Sequence, residues 1–179
     1  HPETARAALE AGADMVNDVT GLRNPEMIDL VVEYQCPVCI MHMLGEPKTM
    51  QSNVEYNDVV TEVSSEIRQR VEELISRGFP IENIVVDPGI GFGKTLKHNL
   101  TLISKISLFH SLGLPIMIGT SRKRFINQIS DTYDSKERIG GTMASVLYLL
   151  SQGVQIFRVH NVLEIKQGIL VFNKILFEK

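Results

Sequence analysis

Short apolar runs that each end in a polar or ionisable residue, separated by longer amphipathic stretches, restrict this chain to a small set of folds. The runs are Asp14 to Val19, Val38 to Met43, Ile84 to Asp87, Pro115 to Gly119 and Ile156 to Val159, and their residues scarcely alternate apolar with polar. Such continuous apolarity suits parallel strands covered by helices on both faces. Helical periodicity fills the intervals, over Glu3 to Ala11, Glu26 to Tyr34, Asp58 to Arg77, Lys97 to Leu112, Lys136 to Ser151 and Leu163 to Phe177. Gly12, Gly78, Gly113 and Gly153 stand at or just past the ends of four of these stretches, where a left-handed helix cap is usual.

A repeated strand-helix order builds either an open doubly wound sheet or a (β/α)8 barrel. The ionisable residues choose between them. Asn17 and Asp18, His42, Asp87, Ser121 with Lys123, and Arg158 with His160 fall at or just beyond the C-terminal ends of successive strands. A barrel builds its active site there from every strand, whereas an open sheet gathers such residues at one switch point. The expected fold is therefore α/β, a TIM (β/α)8 barrel. A complete barrel needs eight units in about 250 residues. Five strands and a first residue that is His1 rather than Met lead us to expect its C-terminal portion, with 1–179 as one N-terminally incomplete domain.

Composition narrows the partners. A formal charge of −3 and a pI near 6.0 offer no basic field for nucleic acid or anionic lipid. No apolar run reaches the length of a membrane-spanning helix. Cys36 and Cys39 flank Pro37-Val38, but there is no second cysteine pair to complete a zinc site. Cys39 reads as a small buried hydrophobe, which implies a reducing, cytoplasmic setting.

The stretch VVDPGIGFGKT, Val85 to Thr95, ends like the nucleotide-binding loop G-x-x-x-x-G-K-[ST]. Pro88 occupies the position of its first glycine and has no N–H to offer a phosphate, so the pattern fails. What is left is a carboxylate at a buried strand end, followed by Gly89, Gly91 and Gly93 alternating with Ile90 and Phe92. Asp87 either caps the turn or accepts paired N–H bonds from an amino-heterocycle. The glycines let the backbone approach a flat ligand, and Phe92 reads as a contact surface.

After the strand PIMIG, Lys123 is placed to point over the barrel mouth, with its stem against an aromatic substrate. Arg122 and Arg124 read as a solvated helix start. Arg158 and His160 share one face of their strand and form a local anion site suited to phosphate or pyrophosphate. Asn17 is a candidate hydrogen-bond partner for a heterocycle, and Asp18 a loop fixer. Met41 suits the wall of a flat ring's pocket. His42, out of phase with it, reads as a satisfied structural histidine.

Taken together, NDV (Asn17 to Val19), CIMHMLGEPKTMQ (Cys39 to Gln51), DPGIGFGK (Asp87 to Lys94), GTSRKRFI (Gly119 to Ile126) and RVHNV (Arg158 to Val162) resemble the dihydropteroate synthase family of pterin-binding enzymes. The motifs occur in the family's order over essentially the whole chain. The resemblance implies a barrel transferase of folate biosynthesis, a sulfonamide target, that joins p-aminobenzoate to 6-hydroxymethyl-7,8-dihydropterin pyrophosphate with release of pyrophosphate.

It further implies pterin contacts at Asn17, Met41, Asp87 and Lys123, and a pyrophosphate site at Arg158 and His160. Phe92, Ser121 and Lys123 fall in the p-aminobenzoate region, and Lys123, Arg158 and His160 carry the catalytic roles. Mg2+ accompanies the pyrophosphate, its family ligand falling before His1, and the assembly is a homodimer. Asn161 departs from the family's RVHDV. The rival readings are a corrinoid-type pterin methyltransferase, which does not need the SRK and RVH cations, and a pterin-binding remnant without catalysis.

Overall fold

The computed structural model describes residues 1–45 and 54–178. The end of the CIMHMLGEPKTMQ motif lies outside them. In chain order the elements are α1 (Pro2–Glu10), β1 (Val16–Asp18), α2 (Pro25–Tyr34), β2 (Val38–Met41), α3 (Val59–Ser76), β3 (Ile84–Asp87), α4 (Leu96–Ser104), β4 (Met117–Ile118), α5 (Arg124–Ser130), α6 (Ile139–Ser151), β5 (Ile156–Phe157) and α7 (Val162–Phe177). Single 3-10 stretches precede β3 and α6, and one, Ile106–Leu112, follows α4.

All paired strands are parallel and adjacent in sequence order. β1 pairs with β2 and β2 with β3, while β4 pairs with β5. One bridge, Val86 to Ile116, joins the two sets, with Val86 N donating to Pro115 O. Four strands are shorter than the apolar runs that announce them, while β3 spans the whole of Ile84–Asp87.

The central helices α2 and α3 bury the stripes that their periodicity marks. On α3, Val59, Val63, Ile67, Val71 and Leu74 are buried at the i, i+4 and i+3 spacing of one helix face. Asp58 caps its start, accepting from Thr61 N at 2.8 Å. The core runs unbroken from Val16 to Val154 and includes Leu30, Ile40, Ile84, Ile90, Phe109 and Leu149. Each fully buried side chain of this size contributes roughly 1.5–3 kcal/mol over exposure. Gly12, Gly78, Gly113 and Gly153 all have positive φ, as helix caps require.

Three helical expectations change. The stretch Lys97 to Leu112 breaks after Ser104 and continues as a 3-10 turn, and Lys136 to Ser151 becomes regular helix only from Ile139. The third change is α5, which is not among the periodic stretches, although Arg122 and Arg124 read as a solvated helix start. It buries Phe125 and Ile126, which is enough to hold it.

Candidate active site

The C-terminal ends of the strands and the loops after them converge on one region. Asp87 closes β3 with its carboxylate fully buried. Its Oδ1 accepts from Gly89 N at 2.8 Å, and its Oδ2 lies 3.3 Å from Nη2 of Arg158. The other guanidinium nitrogen of Arg158 donates to Asn17 Oδ1 at 3.0 Å, so one side chain ties β1 to β3 from beyond β5. Burial pushes the Asp87 carboxyl above its ordinary pKa, against the pull of Lys123, Gly89 N and Arg158.

The loop after Asp87 depends on its glycines. Gly89 and Gly93 have φ of +70° and +61°, and a Cβ on either would run into backbone, His42 O for Gly89 and Leu44 O for Gly93. Gly91 N donates to Asn99 Oδ1 at 2.6 Å. The loop thus carries Phe92 to the edge of the site, where the Lys123 ammonium sits 4.6 Å from the ring centroid and also donates to Ile90 O. Burial lowers the Lys123 pKa to about 8, with Asp87 opposing the shift.

Opposite this pair, Ser121 Oγ accepts from His160 N at 3.2 Å and lies 2.9 Å from His160 Nδ1. The Ser121 hydroxyl thereby holds His160 at two points, its backbone N–H and its ring. A cavity of about 270 Å³ is lined by Phe92, Ser121, Lys123, Arg158 and His160, together with Gly119 and Val159. Arg158 and His160 share its wall, as strand alternation requires. Lys123, Arg158 and the ring of Phe92 give it a cationic and partly aromatic lining, in a chain of net charge −3.

Met41 does not join this cavity. It pairs in register with Asp87 but is 1% exposed, and it borders a cavity of about 40 Å³ on the α3 side, with Thr20, His42 and Glu66. Asp18 fixes its own loop, accepting from Thr20 N, Thr20 Oγ1 and Leu22 N. Cys36 and Cys39 are free, and burial pushes the Cys39 thiol up to about 12.

Lys94 is the residue that the sequence reading missed. Only 2% exposed, it turns inward, donates to Phe92 O at 3.0 Å and meets His42 Nδ1 at 2.9 Å. The failed nucleotide-loop pattern draws attention to its neighbours and gives no sign of this inward turn. Thr95 completes the answer, since its hydroxyl accepts from His98 N as the cap of α4. Neither side chain of the GKT ending is directed at a phosphate.

His42 departs from expectation in one respect. Burial and the charges of Lys94 and Arg23 lower its pKa to about 3, so the ring is neutral. Its Nε2 lies 3.3 Å from Glu66 Oε2 but off hydrogen-bond alignment, and has no hydrogen-bond partner among the described residues. Only half of this histidine is satisfied. Arg122 is likewise more than a solvated helix start: it donates to Asn161 Oδ1 from two nitrogens, at 2.8 and 3.3 Å.

Residues 1–160 match the family described as pterin binding enzyme. The chain belongs to that family. Among relatives within it, dihydropteroate synthase of Synechocystis is 41% identical over 161 residues, covering 89% of this chain and 56% of the relative. The chain therefore spans little more than half of that protein's length. The Thermus thermophilus dihydropteroate synthase, solved with 4-aminobenzoate and with 6HMPPP, superposes with TM-score 0.92 at 38% identity in both structures, over 97% of this chain and 67% and 68% of theirs. The Yersinia pestis enzyme in a sulfonamide drug complex gives TM-score 0.96 at 31% identity, over 100% of this chain and 65% of that one. The α/β fold with parallel strands is thus that of pterin binding enzymes.

Proposed function

We propose that this protein acts in dihydropteroate synthesis, condensing p-aminobenzoate with 6-hydroxymethyl-7,8-dihydropterin pyrophosphate to give 7,8-dihydropteroate and pyrophosphate. One observation carries the reading: a cavity walled by Arg158, His160, Lys123 and an aromatic ring adjoins a buried carboxylate with an amide beside it. The ligands of the Thermus relative support it.

In this reading Asp87 and Asn17 take the amino-pyrimidine edge of the pterin, and Lys123 donates toward its ring. Met41, the floor of β2, backs the pocket from within the core. Departure of pyrophosphate breaks the methylene C–O bond, its electron pair leaving with the phosphate oxygen. The cation left on the methylene is shared with the pterin ring. Arg158 and His160 offset the charge that accumulates on the leaving group. The neutral amine of p-aminobenzoate, aligned against Phe92 and Ser121, then forms the C–N bond and loses a proton. A methyl transfer would leave these cations without an anion to meet, which favours the synthase over a corrinoid-type methyltransferase.

Mg2+ enters the proposal as the partner of the pyrophosphate. Among the described residues no group of three or more His, Cys, Asp or Glu side chains is placed to hold a metal, and no step here runs through the ion. The proposal extends to architecture and setting. The five sequential parallel strands suit an arc of a (β/α)8 barrel forming one domain. Leu163, Leu170, Ile175 and Phe177, exposed on α7, supply apolar surface for a homodimer. None of the described helices is long and apolar enough to cross a membrane, and a cytoplasmic location belongs to the same proposal.

The decisive experiment is p-aminobenzoate-dependent release of pyrophosphate from the dihydropterin pyrophosphate with Mg2+, using the gene's complete product. Release that is lost in Lys123→Ala and Arg158→Ala supports the synthase. A folded, pterin-binding product that releases none refutes it.

A further inference from the structure

Phe92 presents its ring from a stretch of backbone with little conformational preference of its own. Gly91 and Gly93 flank it, both with positive φ, so the direction of the ring is set by what holds the backbone. Both polar groups of the Phe92 backbone are bound: its N–H donates to Gly89 O at 3.1 Å, and its carbonyl accepts from Lys94 Nζ at 3.0 Å. The ring lines two spaces, the cavity of about 270 Å³ shared with Ser121, Arg158 and His160, and another of about 200 Å³ bordered by Lys94, Thr95 and Arg124. Packing therefore leaves it room on either side.

The group on the Phe92 carbonyl is a costly one to bury. Lys94 is 2% exposed, and burial lowers its pKa to about 7, so a charged amine at this depth is disfavoured relative to an apolar side chain of equal length. Its second partner is His42 Nδ1 at 2.9 Å, just beyond the end of β2. While the lysine is charged it has only donors, so Nδ1 accepts. The histidine is itself buried, with its other ring nitrogen 3.3 Å from Glu66 Oε2 of α3. A line of contacts thus runs from α3 through His42 and Lys94 to the carbonyl of Phe92, and of these residues Phe92 alone lines the 270 Å³ cavity.

We infer that Lys94 is a positioning residue for the aromatic amine, holding the Phe92 carbonyl so that the ring stays turned to the cavity in which the proposed function places p-aminobenzoate. The inference rests on that reading of the cavity. His42 serves it at one remove, by fixing the lysine amine on the side away from Phe92. Since neither residue lines the cavity, the loss of either acts on the aminobenzoate through Phe92. The groups assigned to the pterin, Asn17 and Asp87, keep the partners they have in Arg158 and Gly89 N.

The test is steady-state kinetics of pyrophosphate release by the gene's complete product with p-aminobenzoate varied, beside titration calorimetry of the dihydropterin pyrophosphate. Lys94→Met should raise the KM for p-aminobenzoate about tenfold, with kcat changed less and the pterin ester bound within about twofold of wild type. A lysine that only supported the fold would weaken both ligands together. His42→Leu, which leaves the lysine in place without its acceptor, should raise the same KM about threefold, and stands in if the first variant does not fold. His42→Asn, whose Oδ1 takes the place of Nδ1, should restore it. An unchanged KM, an equal loss for both ligands, or a His42→Asn variant no better than His42→Leu overturns the inference. A folded wild-type product that releases no pyrophosphate overturns the reading of the cavity, and the inference with it.

Discussion

Lys123 holds its ammonium 4.6 Å above the ring of Phe92, and the two residues come from different loops. The contact fixes the angle at which both face the cavity. Replacing Phe92 by Leu keeps an apolar side chain but removes the π face, which is worth about 1 kcal/mol at a partly buried site. We predict a KM for p-aminobenzoate raised about fivefold, with kcat less affected. The thermal midpoint should move by only about 2 °C, since Phe92 is half-buried. Steady-state kinetics beside a thermal melt separates the two effects.

On the proposed function, the charge of Lys123 should set an upper pH limit to turnover. Burial brings its pKa down to about 8, so its positive charge is lost as the pH rises through that value. The profile of kcat/KM should fall above about pH 8. In Lys123→Arg, whose guanidinium stays charged, that alkaline limb should vanish even if the rate is lower. A limb that persists unchanged would assign it to another group.

Lys94 makes stability depend on pH in the same range. Its folded pKa is about 7 against an ordinary 10.5, so between those values the unfolded chain binds more protons and folding stability rises with pH. The wild-type chain should gain about 1–2 kcal/mol from this lysine between pH 7 and 9. Lys94→Met should flatten that rise. At pH 9, where the folded lysine is neutral, the substitution should also lower stability, because Phe92 O and His42 Nδ1 lose their donor. Urea midpoints at the two pH values decide the matter.

Two neighbouring glycines of α6 should respond with opposite signs. A Cβ on Gly140 meets nothing within 4 Å, while one on Gly141 would collide with the Ile126 side chain of α5. Gly140→Ala should stabilise by about 0.5–1 kcal/mol through helix propensity. Gly141→Ala should destabilise by about 1–3 kcal/mol through overpacking. Denaturant unfolding of both variants tests whether α5 is docked as described.

Much of this site is legible in the amino-acid order, for a physical reason. Parallel strands buried on both faces exclude polar residues, so Asn17, Asp87, Ser121, Lys123, Arg158 and His160 stand out against their apolar runs. Their position at strand ends already indicates one rim. The parts that are not legible depend on packing between distant segments. Nothing local to Lys94 says that it turns inward to His42, fifty-two residues away. Nor is the depth of Met41, 1% exposed, legible, because the sequence marks apolarity but not burial. α5 is hidden because its cations suggest solvent, while Phe125 and Ile126, which hold it, are too few to show a period.

The span between Asn17 and Arg158 has a kinetic consequence. Their hydrogen bond closes a loop of 141 residues, so the recognition site has no precursor in any partial fold of the chain. Contacts of such sequence separation form late, after the local helices and neighbouring strand pairs are in place. The site should consequently be among the last features to assemble and the first to loosen. A ligand bridging Asn17, Asp87 and Arg158 would act as a clasp between the first strand and the last, so that occupancy and resistance to unfolding become two readings of the same event.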